Sequence, residues 1–304
     1  MEIRALSKVY GEVRALDGVD LTVAEGSVFG FLGPNGAGKT TTLRILTGLA
    51  RPTSGGARIL GRDVVTATND VRRVVGYLPD VPGFYEWMRG DEFLRFAGSL
   101  FGLGGGELEE RIELLLDLAG LSGVRTPVGG YSRGMKQRLG VAQALVNAPR
   151  LLMLDEPTSA LDPIGRKEVL DMIAGLAGRT TVFFSTHILS DVERVCDTVA
   201  ILHAGKVVTQ AAIGELKARY GAQKLVLDVT EAADDLAVAF AAQPWAAGVQ
   251  RLPDGGMVLT VTDIEAARVA VPAAVAERGV GIRRLEAGEI SLEEVFVDLV
   301  GGEA

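Results

Sequence analysis

Apolar and polar positions alternate through residues 1–23, broken by turn residues at Gly11 and at Asp17-Gly18. This period of two predicts short antiparallel strands. The apolar run Ser27–Leu32 predicts a strand that feeds a glycine-rich turn at Gly33–Gly38. From Lys39 to Leu49 the spacing becomes helical, and Arg51-Pro52 stops it. Phe93, Leu94, Phe96 and Ala97, then Ile112, Leu115, Leu116 and Ala119, place helices within 91–121, with Gly102–Gly106 as the loop between them. Ser132–Val146 reads as a further amphipathic helix with Ser132 as its N-cap. Leu151–Leu154 and Thr181–Phe184 are short unbroken apolar runs, as strands covered on both faces of a parallel sheet would be. The order predicts an α/β core with a helical insertion over about 80–145.

Beyond residue 223 the pattern changes. Strands are expected over 224–230, 249–251, 257–262 and 281–285, with a hairpin around Asp254-Gly255-Gly256. Helices are expected over 234–242 and 264–278, the second interrupted by Pro272. Strand-helix-strand-strand-helix-strand suggests a small α+β sandwich of ferredoxin-like order. Ser291-Leu292-Glu293-Glu294 matches a capping box that opens a final helix. Charge shifts at the same point: residues 224–304 hold 6 basic and 14 acidic side chains, whereas residues 1–223 hold 25 of each. Two domains are therefore expected, over 1–220 and 224–304.

Composition narrows the function classes. Apolar residues make up 48% and charged residues 23%, so disorder is excluded. The longest charge-free run, Leu236–Gln250, has fifteen residues and contains Gln243 and Pro244, too few apolar positions for a span of about 20. Met1-Glu2-Ile3-Arg4 carries no signal core, and the single cysteine, Cys196, rules out an internal disulfide or a multi-cysteine metal site. A cytoplasmic protein is expected, with Cys196 packing as a small apolar residue. Neither half has a net basic excess, so no nucleic-acid partner is expected.

The chemistry concentrates in one turn. Gly33-Pro34-Asn35-Gly36-Ala37-Gly38-Lys39-Thr40, with Thr41 following, fits G-x-x-x-x-G-K-[ST] between a strand and a helix. Its glycines let backbone N–H groups curl round phosphate oxygens, Lys39 can reach the β- and γ-phosphates, and the Thr40 hydroxyl can ligate Mg²⁺. Downstream, Leu151–Leu154 ends in Asp155 and Glu156. A strand alternates its side chains, so the two acids need not share one job. Asp155 suits a hold on Mg²⁺, and Glu156 suits polarising an attacking water.

Four more segments fall in order: Tyr10 before the phosphate turn, Tyr131-Ser132-Arg133-Gly134-Met135-Lys136-Gln137-Arg138, Ser159-Ala160-Leu161-Asp162 and Ser185-Thr186-His187. Together these six motifs resemble the nucleotide-binding subunit of an ABC (ATP-binding cassette) transporter over about residues 1–220. The resemblance implies a P-loop NTPase core with a RecA-like α/β subdomain, an antiparallel β subdomain and a helical subdomain, followed by a small α+β C-terminal domain. It also implies that Tyr10 stacks on adenine and that His187 contacts the γ-phosphate and steadies the water held by Glu156. Ser132 and Gly134 would cap the γ-phosphate bound to a second subunit, and Asp162 would lie where the subunits pass. The chain would then bind ATP and release ADP as a homodimer or with a paralogous subunit.

Two departures narrow the resemblance further. The signature reads Tyr-Ser-Arg-Gly-Met rather than Leu-Ser-Gly-Gly-Gln, and Gly76-Tyr77-Leu78-Pro79-Asp80 ends in an acid where the family usually has a Mg²⁺-sensing Gln. With the tail Ile290–Phe296 and the acidic last domain, these features look like the ATPases of ABC-2-type exporters. That subgroup implies a polytopic membrane permease as partner and a place on the cytoplasmic face of the membrane. Contact is expected near Asp80–Trp87 and the following helices, where Phe84, Tyr85 and Trp87 are either an interface anchor or a local hydrophobic cluster of the helical insertion. The rival readings are a soluble ABC-type ATPase acting on ribosomes or DNA, and a small-molecule P-loop kinase.

Overall fold

The computed structural model describes residues 1–220, 223–230, 233–252, 255–288 and 291–301. Asp254 of the expected hairpin and Ile290 of the tail lie outside the described residues. The chain divides into two compact units, Met1–Ile213 and Gly214–Ala304, somewhat ahead of the change in charge balance.

Unit one contains two sheets. The first is antiparallel, in the order β2-β1-β4-β5, from β1 (Glu2–Tyr10), β2 (Val13–Thr22), β4 (Ser54–Ile59) and β5 (Arg62–Asp63). The second has the order β10-β9-β3-β8-β7-β6, built from β3 (Val28–Leu32), β6 (Val75–Leu78), β7 (Leu151–Asp155), β8 (Thr181–Thr186), β9 (Thr198–His203) and β10 (Lys206–Ala212). Its strands are parallel except β10, which returns antiparallel to β9. Every residue of β3, β7 and β8 is buried, which is why those runs are unbroken in the sequence. Phe29 stacks on Phe183 with ring centres 5.6 Å apart, and Phe31 approaches the same ring at 5.1 Å.

Parallel pairing of β3, β8, β7 and β6 gathers their C-terminal loops at one edge, where α/β sheets bind ligands. Helix α1 (Lys39–Leu46) leaves that edge and stops earlier than the apolar spacing suggests. Thr47 is its C-cap and Gly48 turns left-handed at φ +69°. The helical insertion comprises α3 (Gly90–Leu100), α4 (Gly105–Leu118) and α5 (Arg133–Leu145), after a short α2 (Thr68–Val74). Helix α5 presses on β6 so closely that a Cβ on Gly76 would lie 1.9 Å from the Ala144 carbonyl oxygen. Helices α6 (Pro163–Ala174) and α7 (Leu189–Val195) follow β7 and β8. Cys196 ends α7, and burial pushes its thiol up from the ordinary range, as an inert packing residue requires.

After α8 (Ile213–Tyr220), unit two forms β11 (Gln223–Val229), α9 (Ala233–Ala241), β12 (Ala246–Arg251), β13 (Met257–Val261), α10 (Ile264–Glu277), β14 (Ile282–Gly288) and α11 (Leu292–Gly301). The sheet order β12-β13-β11-β14, antiparallel throughout, is the ferredoxin-like order that the pattern suggests. Pro272 does not interrupt α10, contrary to expectation. Ala267, Val271 and Val275 form one buried stripe on that helix. Packing of that stripe outweighs the roughly 3 kcal/mol that an internal proline costs. Ser291 Oγ accepts the Glu294 N–H at 3.4 Å, while the Glu294 carboxylate engages Lys224.

Candidate active site

The turn after β3 is built to leave donors free. Gly38 sits at φ +111° as the N-cap of α1 and offers no side chain to the first N–H groups of that helix. A Cβ there would meet the Ala15 carbonyl oxygen at 2.6 Å, so only glycine fits. No acid lies in the first turn, and the N-terminal dipole is left to an anion. Gly33 is buried and Pro34, Asn35 and Gly36 form the exposed rim, with Ala37 N donating back to the Pro34 carbonyl at 3.2 Å. Thr41 is half-buried on the first turn of α1.

Lys39 crosses this turn beneath its rim. Its Nζ donates to the carbonyls of Gly33 at 2.6 Å and Pro34 at 3.2 Å, and pairs with Glu156 Oε1 at 3.1 Å. The other Glu156 oxygen lies 2.8 Å from His187 Nδ1. Lysine, carboxylate and imidazole thus form one continuous array, assembled from the ends of β3, β7 and β8. Glu156 itself holds a left-handed backbone, φ +49°, with its N–H donating to the Ser185 carbonyl at 3.0 Å. Such strain persists only where surrounding contacts over-determine it, and it clusters at working sites.

Asp155 is fully buried. Its Oδ1 accepts the Ser185 hydroxyl at 2.7 Å and the Thr40 hydroxyl at 3.3 Å, while Oδ2 is buried with no partner. Burial raises the pKa of this carboxyl; the two hydroxyls oppose the shift, and the charges of Asp80 and Glu156 add to it. A free buried oxygen beside a threonine hydroxyl fits a hard cation such as Mg²⁺, which is commonly held by one or two carboxylates plus substrate phosphates. Among the described residues no three His, Cys, Asp or Glu side chains converge as an all-protein metal cage. Asp80 is exposed after β6, near enough to Asp155 for its charge to be felt.

A second group forms where α5 and α6 meet. Ser132 caps α5 by accepting the Met135 N–H at 3.2 Å, and Asp162 is the N-cap of α6, ahead of Pro163. A Cβ on Gly134 would lie 3.5 Å from Gly165 Cα, so the two helix starts touch. Tyr10 stands apart at the end of β1, with 46% of its surface exposed and Lys8 Nζ 4.6 Å from its ring centre. Phe84 packs on Phe93 and Tyr85 on Phe96, a local cluster within the insertion, while Trp87 stays exposed.

Two features escaped the sequence. Ser185 bridges Asp155 and Glu156, and its only sequence signal is its place two residues before His187. A cavity of about 530 Å³ is lined by Leu49, Val71, Tyr77, Leu100, Phe101 and Ala144, among others. These come from four separated segments and share no motif.

The ABC transporter family model matches residues 16–159, and the model of the ATP-binding protein DrrA1-3-like C-terminal domain matches residues 212–300. The uncharacterized ABC transporter ATP-binding protein YxlF of Bacillus subtilis (strain 168) is 40% identical over 99% of both chains. The bacitracin transport ATP-binding protein BcrA of Bacillus licheniformis is 36% identical over 98% of this chain and 96% of its own. Among solved structures, the dimeric cassette MJ0796, in a post-hydrolysis state bound to ADP and Pi, superposes with a TM-score of 0.64. It is 25% identical over 70% of this chain and 98% of that one.

Proposed function

This chain belongs to the ATP-binding subunits of ABC-2-type ABC transporters and hydrolyses ATP; from that premise we propose how its residues divide the work. The P-loop N–H groups and Lys39 hold the β- and γ-phosphates, and Tyr10 stacks on the adenine. Thr40 and Asp155, with Asp80 nearby, hold Mg²⁺, which screens the phosphate charge when bound. Glu156 orients and polarises the attacking water, and His187 steadies that carboxylate and faces the γ-phosphate. Ser132 and Gly134 of a second copy close over the same γ-phosphate, with Asp162 passing between the subunits. Each chain carries one P-loop and one signature, so two complete sites require a head-to-tail pair. The unbroken array Lys39–Glu156–His187 beside the open Asp155 oxygen carries this reading.

The partner is a separate membrane permease, which keeps this subunit at the cytoplasmic face. No described helix is long and apolar enough to cross a membrane. The cavity bordered by Leu49, Leu100 and Phe101 is the docking groove for the permease. The name of BcrA, a bacitracin transport ATP-binding protein, supports an antibiotic-like cargo. The ribosome- or DNA-directed alternative finds no support in these relatives.

Tagged Glu156→Gln, purified from detergent-solubilised native membranes with ATP and Mg²⁺, is expected to bring a polytopic membrane protein with it. Ribosomal particles or DNA in its place overturn the transport reading.

A further inference from the structure

We propose that Asp191 is a positioning residue for the Glu156–His187 pair, its carboxylate tying the segment after Glu156 to the segment after His187. The proposal rests on the roles given above to those two residues.

Asp191 is only 1% exposed. Its Oδ2 accepts the Thr158 hydroxyl at 2.6 Å, and its Oδ1 accepts Arg166 Nε at 2.6 Å. Arg166 also donates to Ser190 Oγ at 2.8 Å. Thr158, itself buried, lies in the turn that Glu156 opens, where Ser159 N donates to the Glu156 carbonyl at 3.1 Å. On the other side, Asp191 N donates to the Ile188 carbonyl at 3.2 Å, and Ile188 directly follows His187. The imidazole closes the circuit on Glu156 at 2.8 Å. The path from Glu156 through Thr158, Asp191 and Ile188 to His187 is therefore a closed circuit of backbone and hydrogen bonds. Arg166, in the first turn of α6, adds the helix that Asp162 caps.

The carboxylate is the right chemistry for this post. It receives a hydroxyl and a guanidinium N–H from opposite sides, and a carboxylate accepts on both oxygens. Asparagine offers one acceptor oxygen and turns a donor toward a donor on the other side. The left-handed Glu156 backbone needs contacts that over-determine it, and the Thr158–Asp191 bond is one of them. Loosening the circuit moves the Glu156 and His187 side chains relative to each other without touching the P-loop.

The test measures ATP turnover by the full chain for Asp191→Asn and Thr158→Val, each alone and combined with His187→Ala, with Glu156→Gln as reference. Both single variants are expected to lower kcat by about tenfold or more with KM for ATP within about twofold, as misplacement of a catalytic group does. In the His187→Ala background either change is expected to cost no more than about twofold further, because coupled residues are non-additive. Purely structural damage would instead multiply. Losses that multiply, or a wild-type kcat in both single variants beside an inactive Glu156→Gln, overturn the positioning role alone. An active Glu156→Gln overturns the reading of the site and this role with it. Should Asp191→Asn fail to fold, Thr158→Val decides, since it keeps the Asp191–Arg166 pair.

Discussion

The Lys39 ammonium and the Glu156 carboxylate face each other across 3.1 Å, both buried, and join the phosphate turn to the end of β7. Breaking a buried pair from one side leaves the other charge uncompensated, at a cost of about 3–5 kcal/mol. Lys39→Ala is therefore expected to lower the unfolding free energy of the nucleotide-free protein by that amount. Adding Glu156→Gln should restore part of the loss. Urea unfolding of the single and double variants checks this; equal stability of Lys39→Ala and the double variant contradicts it.

Glu156→Gln alone keeps the shape of the site and most of its hydrogen bonds. ATP affinity is expected to stay within severalfold of wild type. Turnover falls by about 10²–10⁴-fold, the usual contribution of general acid–base catalysis. Single-turnover hydrolysis beside equilibrium ATP binding separates the two effects.

The convergence of Lys39, Thr40, Asp155, Glu156 and His187 in the candidate site was legible in the sequence because these residues belong to contiguous strings with fixed spacing. A P-loop must place glycines and a lysine within eight residues, and strand-end acids follow an unbroken apolar run. The cavity beside Leu100 was not legible, because Leu49, Tyr77 and Leu100 are surface or half-buried positions that converge only when the turn after α1, β6 and the end of α3 pack together. Asp191 was likewise silent, since an acid in an amphipathic helix ordinarily faces solvent; here Thr158 and Arg166 draw it inward. Pro272 misled for the opposite reason: local propensity argues for a break, and burial along α10 overrides it.

Tyr77 links the groove to the nucleotide site electrostatically. Burial pushes its phenol up to about 12, with the charges of Asp155 and Asp80 adding to the shift and Arg44 opposing it. The fold thus favours the protonated phenol. Its contribution to stability is full below the unfolded value of about 10 and is lost as pH rises toward about 12. Tyr77→Phe should flatten the stability profile in that window, as read by denaturant unfolding across it. An unchanged slope would show that another group carries the dependence.

Gly76→Ala tests the packing that sets β6 against α5. The added carbon would sit 1.9 Å from the Ala144 backbone oxygen, which has no flexible end to yield. Strand and helix must separate, at about 1–3 kcal/mol for overpacking and more if the shift spreads. Thermal unfolding should show a clearly lowered midpoint. ATPase activity should fall with it, because β6 leads directly to Asp80.

Leu100 is 70% exposed at the end of α3, and Phe101 stands half-exposed beside it as the C-cap. Solvent-facing apolar side chains at the rim of a groove contribute little to the fold, so Leu100→Gln should change stability by no more than about 0.5 kcal/mol. Buried under a permease, the same leucine becomes an anchor, and anchors lose about 2 kcal/mol or more of binding when removed. The expected outcome is a subunit that hydrolyses ATP normally in isolation but no longer co-purifies with its membrane partner. Retained co-purification by Leu100→Gln together with Phe101→Ser would move the docking surface elsewhere, toward Trp87.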